Sequence, residues 1–186
     1  MFIETEATPN PATLKFLPGQ PVLISSSARD FRDRDAAEIA SPLAARLFEV
    51  EGVSGVFLGA DFISVTKNDG EWGHLKPAVL GAIMEHFLSG APAVNDEAAS
   101  ESAEGRYSPE DAEIVGTIIE LIDTRVRPAV AQDGGDIVFQ GYRDGIVYLH
   151  MRGACAGCPS STATLRNGVE NLLRHYVPEV REVRQI

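Results

Sequence analysis

Residues Asp136-Ile-Val-Phe-Gln-Gly-Tyr-Arg-Asp144-Gly145-Ile-Val-Tyr-Leu-His-Met-Arg-Gly153-Ala-Cys155-Ala-Gly-Cys158-Pro159-Ser-Ser161 decide the fold. Asp136 to Tyr142 and Ile146 to Arg152 are rich in β-branched and aromatic residues, the composition of strands. Asp144-Gly145 between them tolerates the positive φ angles of a tight hairpin turn, so the two strands are antiparallel neighbours. Both cysteines then fall in a short loop, and Pro159 suits the first position of a helix. That helix carries Leu165, Val169, Leu172, Leu173 and Tyr176 on one face, and a short strand, Glu179 to Arg184, follows Pro178. Upstream, Ser108-Pro-Glu-Asp111 reads as an N-cap, a first-turn proline and two acids that suit the helix dipole. Ile114, Ile118, Leu121, Ile122 and Val126 recur at helical spacing, and the glycines of Asp133-Gly-Gly-Asp136 end that helix. The order over 108–186 is α-β-β-α-β.

Moving outward, Ser89 to Gly105 contains one branched aliphatic residue, Val94, and no aromatic one. Such a stretch buries too little apolar surface to offset its ordering entropy. Residues 89–107 therefore read as a flexible acidic linker, with ends on the order of 25 Å apart by random-coil scaling. Before it, Phe2 to Ala7 and Thr13 to Leu17 read as strands around Thr8-Pro-Asn-Pro11, followed by a helix from Asp35 to Glu49. A hairpin of Gly55 to Gly59 and Phe62 to Lys67 comes next, then a closing helix from His74 to Leu88. The expectation is an α+β protein of two small domains. Residues 1–88 have the order β-β-α-β-β-α, and 108–186 form a small mixed sheet packed on helices.

The 186 residues are 44% hydrophobic and 23% charged, as in an ordinary globular protein. The net charge of -11 divides as -5 over 1–88, -3 over 89–107 and -3 over 108–186. Acidity on every part repels a phosphate backbone and argues against nucleic acid as partner. No apolar run approaches the roughly 20 residues of a membrane span, so no membrane partner is expected. Residues 1–6 carry Glu4 and Glu6 where a leader would carry positive charge, and two cysteines are too few for a disulfide framework. These features point to the cytoplasm, or to the mitochondrial matrix if the chain is a processed form. No glycine-rich phosphate loop is present, so ATP binding is not expected.

Cys155 and Cys158 sit two residues apart before a helix whose dipole favours thiolate over thiol. Two small packed cysteines would satisfy a core, but the adjoining glycines and the helix start suit chemistry better. A thiol-disulfide oxidoreductase uses such a pair at a helix start, although there the Cys-bearing strand belongs to a parallel βαβ unit. Zinc needs four ligands, and none of His74, His86, His150 and His175 stands at finger spacing from the pair. His150 alternates onto the solvent side of its strand, and His175 suits a helix end. An iron-sulfur cluster takes four thiolates, of which one chain supplies half. Two chains meeting across a two-fold axis would complete either a cluster or a shared zinc ion, and the cysteines alone do not choose between them. Gly134 and Gly135 read as serving the helix-to-strand turn, and Trp72 as packing beside a capping loop.

The segments Gln132-Asp-Gly-Gly-Asp-Ile137 and Gly153-Ala-Cys-Ala-Gly-Cys-Pro-Ser-Ser161 resemble the NifU C-terminal domain. Thr8-Pro-Asn-Pro-Ala-Thr-Leu-Lys-Phe16 is similar to the start of the Nfu N-terminal domain. The resemblance implies a carrier, not an enzyme, that holds a [4Fe-4S] cluster between two chains through Cys155 and Cys158. It implies as partners an upstream assembly scaffold, a second copy of the chain, and apo iron-sulfur proteins that receive the cluster.

Overall fold

The computed structural model describes residues 1–24, 28–95, 106–156 and 159–186. They form two compact units, Met1–Ser100 and Glu101–Ile186, each with its own core. The α+β class is confirmed.

In the first unit β1 (Glu4–Ala7), β2 (Thr13–Leu17), β3 (Arg29–Phe31), β4 (Val53–Leu58) and β5 (Ile63–Lys67) form one sheet of order β1-β2-β5-β4-β3. Every pairing in it is antiparallel. Phe16, Val56, Ile63 and Val65 meet Leu43, Leu47, Val79 and Ile83 from the helices in the core. The helix expected over 35–49 is two, α1 (Arg34–Ala40) and α2 (Pro42–Phe48). Pro42 cannot continue a helix, and Ser41 serves both pieces. Its N–H donates to the Ala37 carbonyl, and its hydroxyl accepts from Ala44 N–H at 2.9 Å. β3 was not expected, because its Arg-Asp-Phe sequence has no alternation to read and only Phe31 faces the core. The closing helix α3 (Trp72–Ser89) starts at Trp72, whose indole N–H reaches the Pro11 carbonyl at 3.2 Å and whose ring stands edge-on to Phe16. Trp72 thus locks the Thr8 to Pro11 turn onto the unit.

The second unit opens with a 3-10 turn at Pro109–Asp111, then α4 (Ala112–Leu121), a π-turn at Ile122–Val126 and α5 (Arg127–Gln132). One regular helix was expected; Pro128 removes an N–H and crowds the carbonyl four residues back, which the wider turn accommodates. β6 (Gly135–Arg143) and β7 (Ile146–Gly153) form the expected hairpin, with Asp144 at φ 52° and Gly145 at φ 80°. α6 (Pro159–Tyr176) leads to β8 (Glu182–Gln185), which pairs parallel to β7 and completes a mixed sheet of order β6-β7-β8. Val169 and Leu173 of α6 are buried and Leu165 and Leu172 half-buried on that core. Tyr176 is instead 46% exposed, with the Arg125 guanidinium 4.9 Å from its ring centre. The β8 edge is blunted by Glu170, whose carboxylate accepts the Val183 N–H at 3.1 Å.

Of the expected linker, 96–105 lies outside the described residues. Asn95 N–H donates to the Ala40 carbonyl, and the Ser41 hydroxyl donates to the Ala93 carbonyl. Arg106 bridges the β6 edge: its N–H donates to the Gln140 carbonyl and its carbonyl accepts the Tyr142 N–H, both at 3.1 Å. A Cβ at Gly141 would stand 2.8 Å from the Arg106 carbonyl oxygen, so that approach requires glycine. Gly141→Val should detach Arg106 and raise the exchange rate of the Tyr142 amide at least about ten-fold, as for an edge group returned to solvent. Amide hydrogen exchange reads this directly; an unchanged Tyr142 rate would show that the bridge does not protect it.

Candidate metal centre

β7 ends at Gly153, where φ is 64° and the chain turns towards α6. Cys155, two residues on, is 7% exposed and belongs to the second core with Ile137, Met151 and Val169. The sequence favoured chemistry over two small packed cysteines; Cys155 is nevertheless packed in the core. Contacts with described residues on either side fix it. Ala154 N–H donates to the Gly134 carbonyl at 3.1 Å, and the Thr162 hydroxyl donates to the Cys155 carbonyl at 3.0 Å. From below, Gly135 faces the sulfur: a Cβ there would overlap Cys155 Sγ and stand 2.9 Å from the Arg152 carbonyl oxygen. The two glycines therefore do different work. Gly134 takes φ 77° in the helix-to-strand turn, whereas Gly135 is needed because the thiol occupies its side-chain space. Cys158, the other expected ligand, lies outside the described residues.

The thiolate expectation is reversed for Cys155. Burial, then the negative charges of Asp133 and Asp136, push its thiol up to about 12, so it is protonated at neutral pH. The helix dipole acts within a turn and is outweighed here by desolvation. Asp136 is itself buried, and its carboxylate receives both arms of the Arg127 guanidinium, Nε to Oδ1 at 2.8 Å and Nη2 to Oδ2 at 3.0 Å. That fork, the strong geometry for a carboxylate, raises the Arg127 pKa in return. Arg127 also reaches Asp123 at 3.3 Å, one turn earlier on the helix.

The topological case against a redox pair weakens, because β7 is central. It is antiparallel to β6 but parallel to β8, so β7-α6-β8 is itself a βαβ unit. The stronger objection is electrostatic: a first cysteine held protonated to about 12 makes a poor attacking group at pH 7. His150 Nδ1 lies 3.0 Å from the main-chain oxygen of Ile186, and the His175 ring stands edge-on to Tyr176. His74 and His86 belong to α3 of the first unit. Among the described residues no three of His, Cys, Asp and Glu gather as a metal-ligand set. The donor chemistry of the thiol suits soft metals once its proton is displaced.

Sequence reasoning missed Arg127 and Thr162. Both were flagged only by context: an Arg-Pro pair inside an apolar helix, and a hydroxyl run continuing Ser160-Ser161 past the motif.

In a metal-free Cys158→Ser chain, where Cys155 is the sole thiol, iodoacetamide should react at pH 7.5 about a hundred-fold more slowly than with free cysteine. This allows for the greater nucleophilicity of a more basic thiolate. The rate should climb as pH rises towards 12 and recover in urea; a rate equal to free cysteine at pH 7.5 contradicts the burial argument. Gly135→Ala should lower stability by about 1–3 kcal/mol through overpacking. Gly168→Ala, in α6 with open space around it, should raise stability by up to about 1 kcal/mol. Thermal unfolding of the two variants checks the opposite signs.

Two family descriptions match the chain: "Scaffold protein Nfu/NifU N terminal" over residues 3–90 and "NifU-like domain" over 118–184. The human protein named NFU1 iron-sulfur cluster scaffold homolog, mitochondrial, is 50% identical over 188 residues, covering 100% of this chain and 72% of that one. The Drosophila sechellia protein of the same name is 52% identical over 187 residues, covering 100% of this chain and 65% of its own length. The chain thus spans about two thirds of these relatives. A solved NifU-like protein from Saccharomyces cerevisiae shares 27% identity, covering 52% of this chain and 87% of that one, with a TM-score of 0.46. The expectation of a cytoplasmic home is corrected, because both relatives are named as mitochondrial. The acids taken as evidence against a leader belong to strand β1, where Glu6 pairs with Lys15 at 3.2 Å, and they report on the sheet instead. With both halves matched and a human relative 50% identical across the whole of this chain, the chain belongs to the Nfu/NifU scaffold family.

Proposed function

We propose that the chain is an iron-sulfur cluster carrier whose cargo, a [4Fe-4S] cluster, is held between two copies, each supplying Cys155 and Cys158. The observation that carries this is the cysteine count: the whole sequence has two, three positions apart between Gly153 and Pro159, against the four thiolates a cluster takes. The relatives' names support iron-sulfur scaffolding as the class of activity. The cluster arrives from an upstream scaffold and leaves to an apo iron-sulfur protein by thiolate exchange, each client thiolate replacing one of the carrier's. No substrate is covalently turned over, so the chain acts as a carrier and not an enzyme. Residues 89–107 serve as the tether between a partner-facing domain, 1–88, and the cluster-binding domain, 108–186.

Anaerobic reconstitution with iron and sulfide should give about four of each per dimer. Cys155→Ser and Cys158→Ser should each abolish both the cluster and the cluster-linked dimer. Full cluster content in both variants, or a zinc-only dimer from the intact chain, would sink the proposal.

A further inference from the structure

We infer that Thr162 is a positioning residue for Cys155: its hydroxyl, bonded to the Cys155 carbonyl, holds that ligand in place against the N-terminal turn of α6. The inference rests on the reading of Cys155 as a ligand. A threonine hydroxyl inside a helix ordinarily bonds back one turn, to the carbonyl three or four residues earlier. Thr124 and Thr117 do so here, with the Glu120 and Glu113 carbonyls. Thr162, on the first full turn of α6, instead reaches seven residues back, across the loop, to Cys155 at 3.0 Å. It is half-buried at that point. Its bond acts on the Cys155 backbone from the side of α6, while Gly134 holds the adjacent Ala154 N–H and Gly135 packs under the sulfur.

Cys155 is thereby held from two sides. The strand side is set by Gly134 and Gly135, and the helix side by Thr162. Removing the hydroxyl frees the carbonyl and lets the loop pivot on its remaining strand-side contacts. The thiol then samples positions off the Gly135 surface, and its access to solvent and its hold on a bound cluster change together. A methyl group in place of the hydroxyl keeps the volume and removes the bond, while serine keeps the bond and removes the methyl.

The test uses full-length chains carrying Thr162→Val or Thr162→Ser, with two readouts. In metal-free chains that also carry Cys158→Ser, iodoacetamide labelling of Cys155 at fixed pH should be about five-fold faster for Thr162→Val, the factor one neutral hydrogen bond carries. It should be unchanged for Thr162→Ser. In reconstituted chains with both cysteines, loss of the cluster's visible absorbance to a chelator should quicken by a similar factor for Thr162→Val only. Equal labelling rates for Thr162→Val and the parent overturn the inference, as does a serine variant that behaves like valine, since packing would then be responsible. A Thr162→Val chain without a thermal unfolding transition also overturns it, because the hydroxyl would be serving the whole fold. If no chain takes up a cluster, the carrier reading fails, and the labelling arm still decides the role of Thr162.

Discussion

The second unit is organised around the meeting of the Gly135 backbone with the Cys155 sulfur. β6 begins at Gly135, β7 ends at Gly153 opposite it, and the chain must turn back within two residues to bring Cys155 over the start of β6. Any side chain at 135 would separate these strands or drive the thiol out. Because Cys155 also completes the core beside Ile137, Met151 and Val169, the proposed ligand and the fold share one residue. A structural cysteine is normally inert and a reactive one normally exposed. Here one residue combines the first character in the metal-free chain with a proposed role that needs the second.

Charge surrounds that contact in an ordered way. Asp133 and Asp136 both lie close enough to Cys155 to oppose its ionisation, yet only Asp136 is buried. Leaving that carboxylate without a partner would cost several kcal/mol, and the Arg127 fork prevents it. The π-turn that delivers Arg127 is a consequence of Pro128, so a local irregularity of the helix and the electrostatics of the loop have a common origin. In the proposed dimer two acidic copies approach one another, so iron-sulfur bonds and packing must overcome a repulsion that salt screens beyond about 8 Å.

Much of this was legible in the sequence. Asp144-Gly145 announced the hairpin, and Ile118, Leu121, Val169 and Leu173 announced buried helix faces by their spacing. Cys155 stood out because two cysteines in a whole chain invite a chemical question. What escaped was set by tertiary contact. Gly135 and Gly134 look alike in sequence, and only the approach of the sulfur separates a steric requirement from a backbone one. The burial of Cys155, which overrides the helix dipole, depends on tertiary contact with residues distant in sequence, such as Gly135. β3 was hidden because three residues give no periodicity, and the parallel partner of β7 because a short terminal strand shows no direction.

Arg106 joins the β6 edge beside Gly141, whereas Cys155 packs at the other end of the same strand, beside Gly135. Six residues of strand separate the two places, about 20 Å at the usual rise. A pull on the chain ahead of Arg106 is therefore taken up first by two backbone hydrogen bonds at the far end of the sheet. Once those bonds part, the load passes along the chain into α4 and α5 and meets β6 at Gly135, the end where Cys155 packs. The Arg106 bridge is thus a clasp: it keeps the start of the unit from fraying while its two bonds hold, and gives no shelter to Cys155 once they are broken.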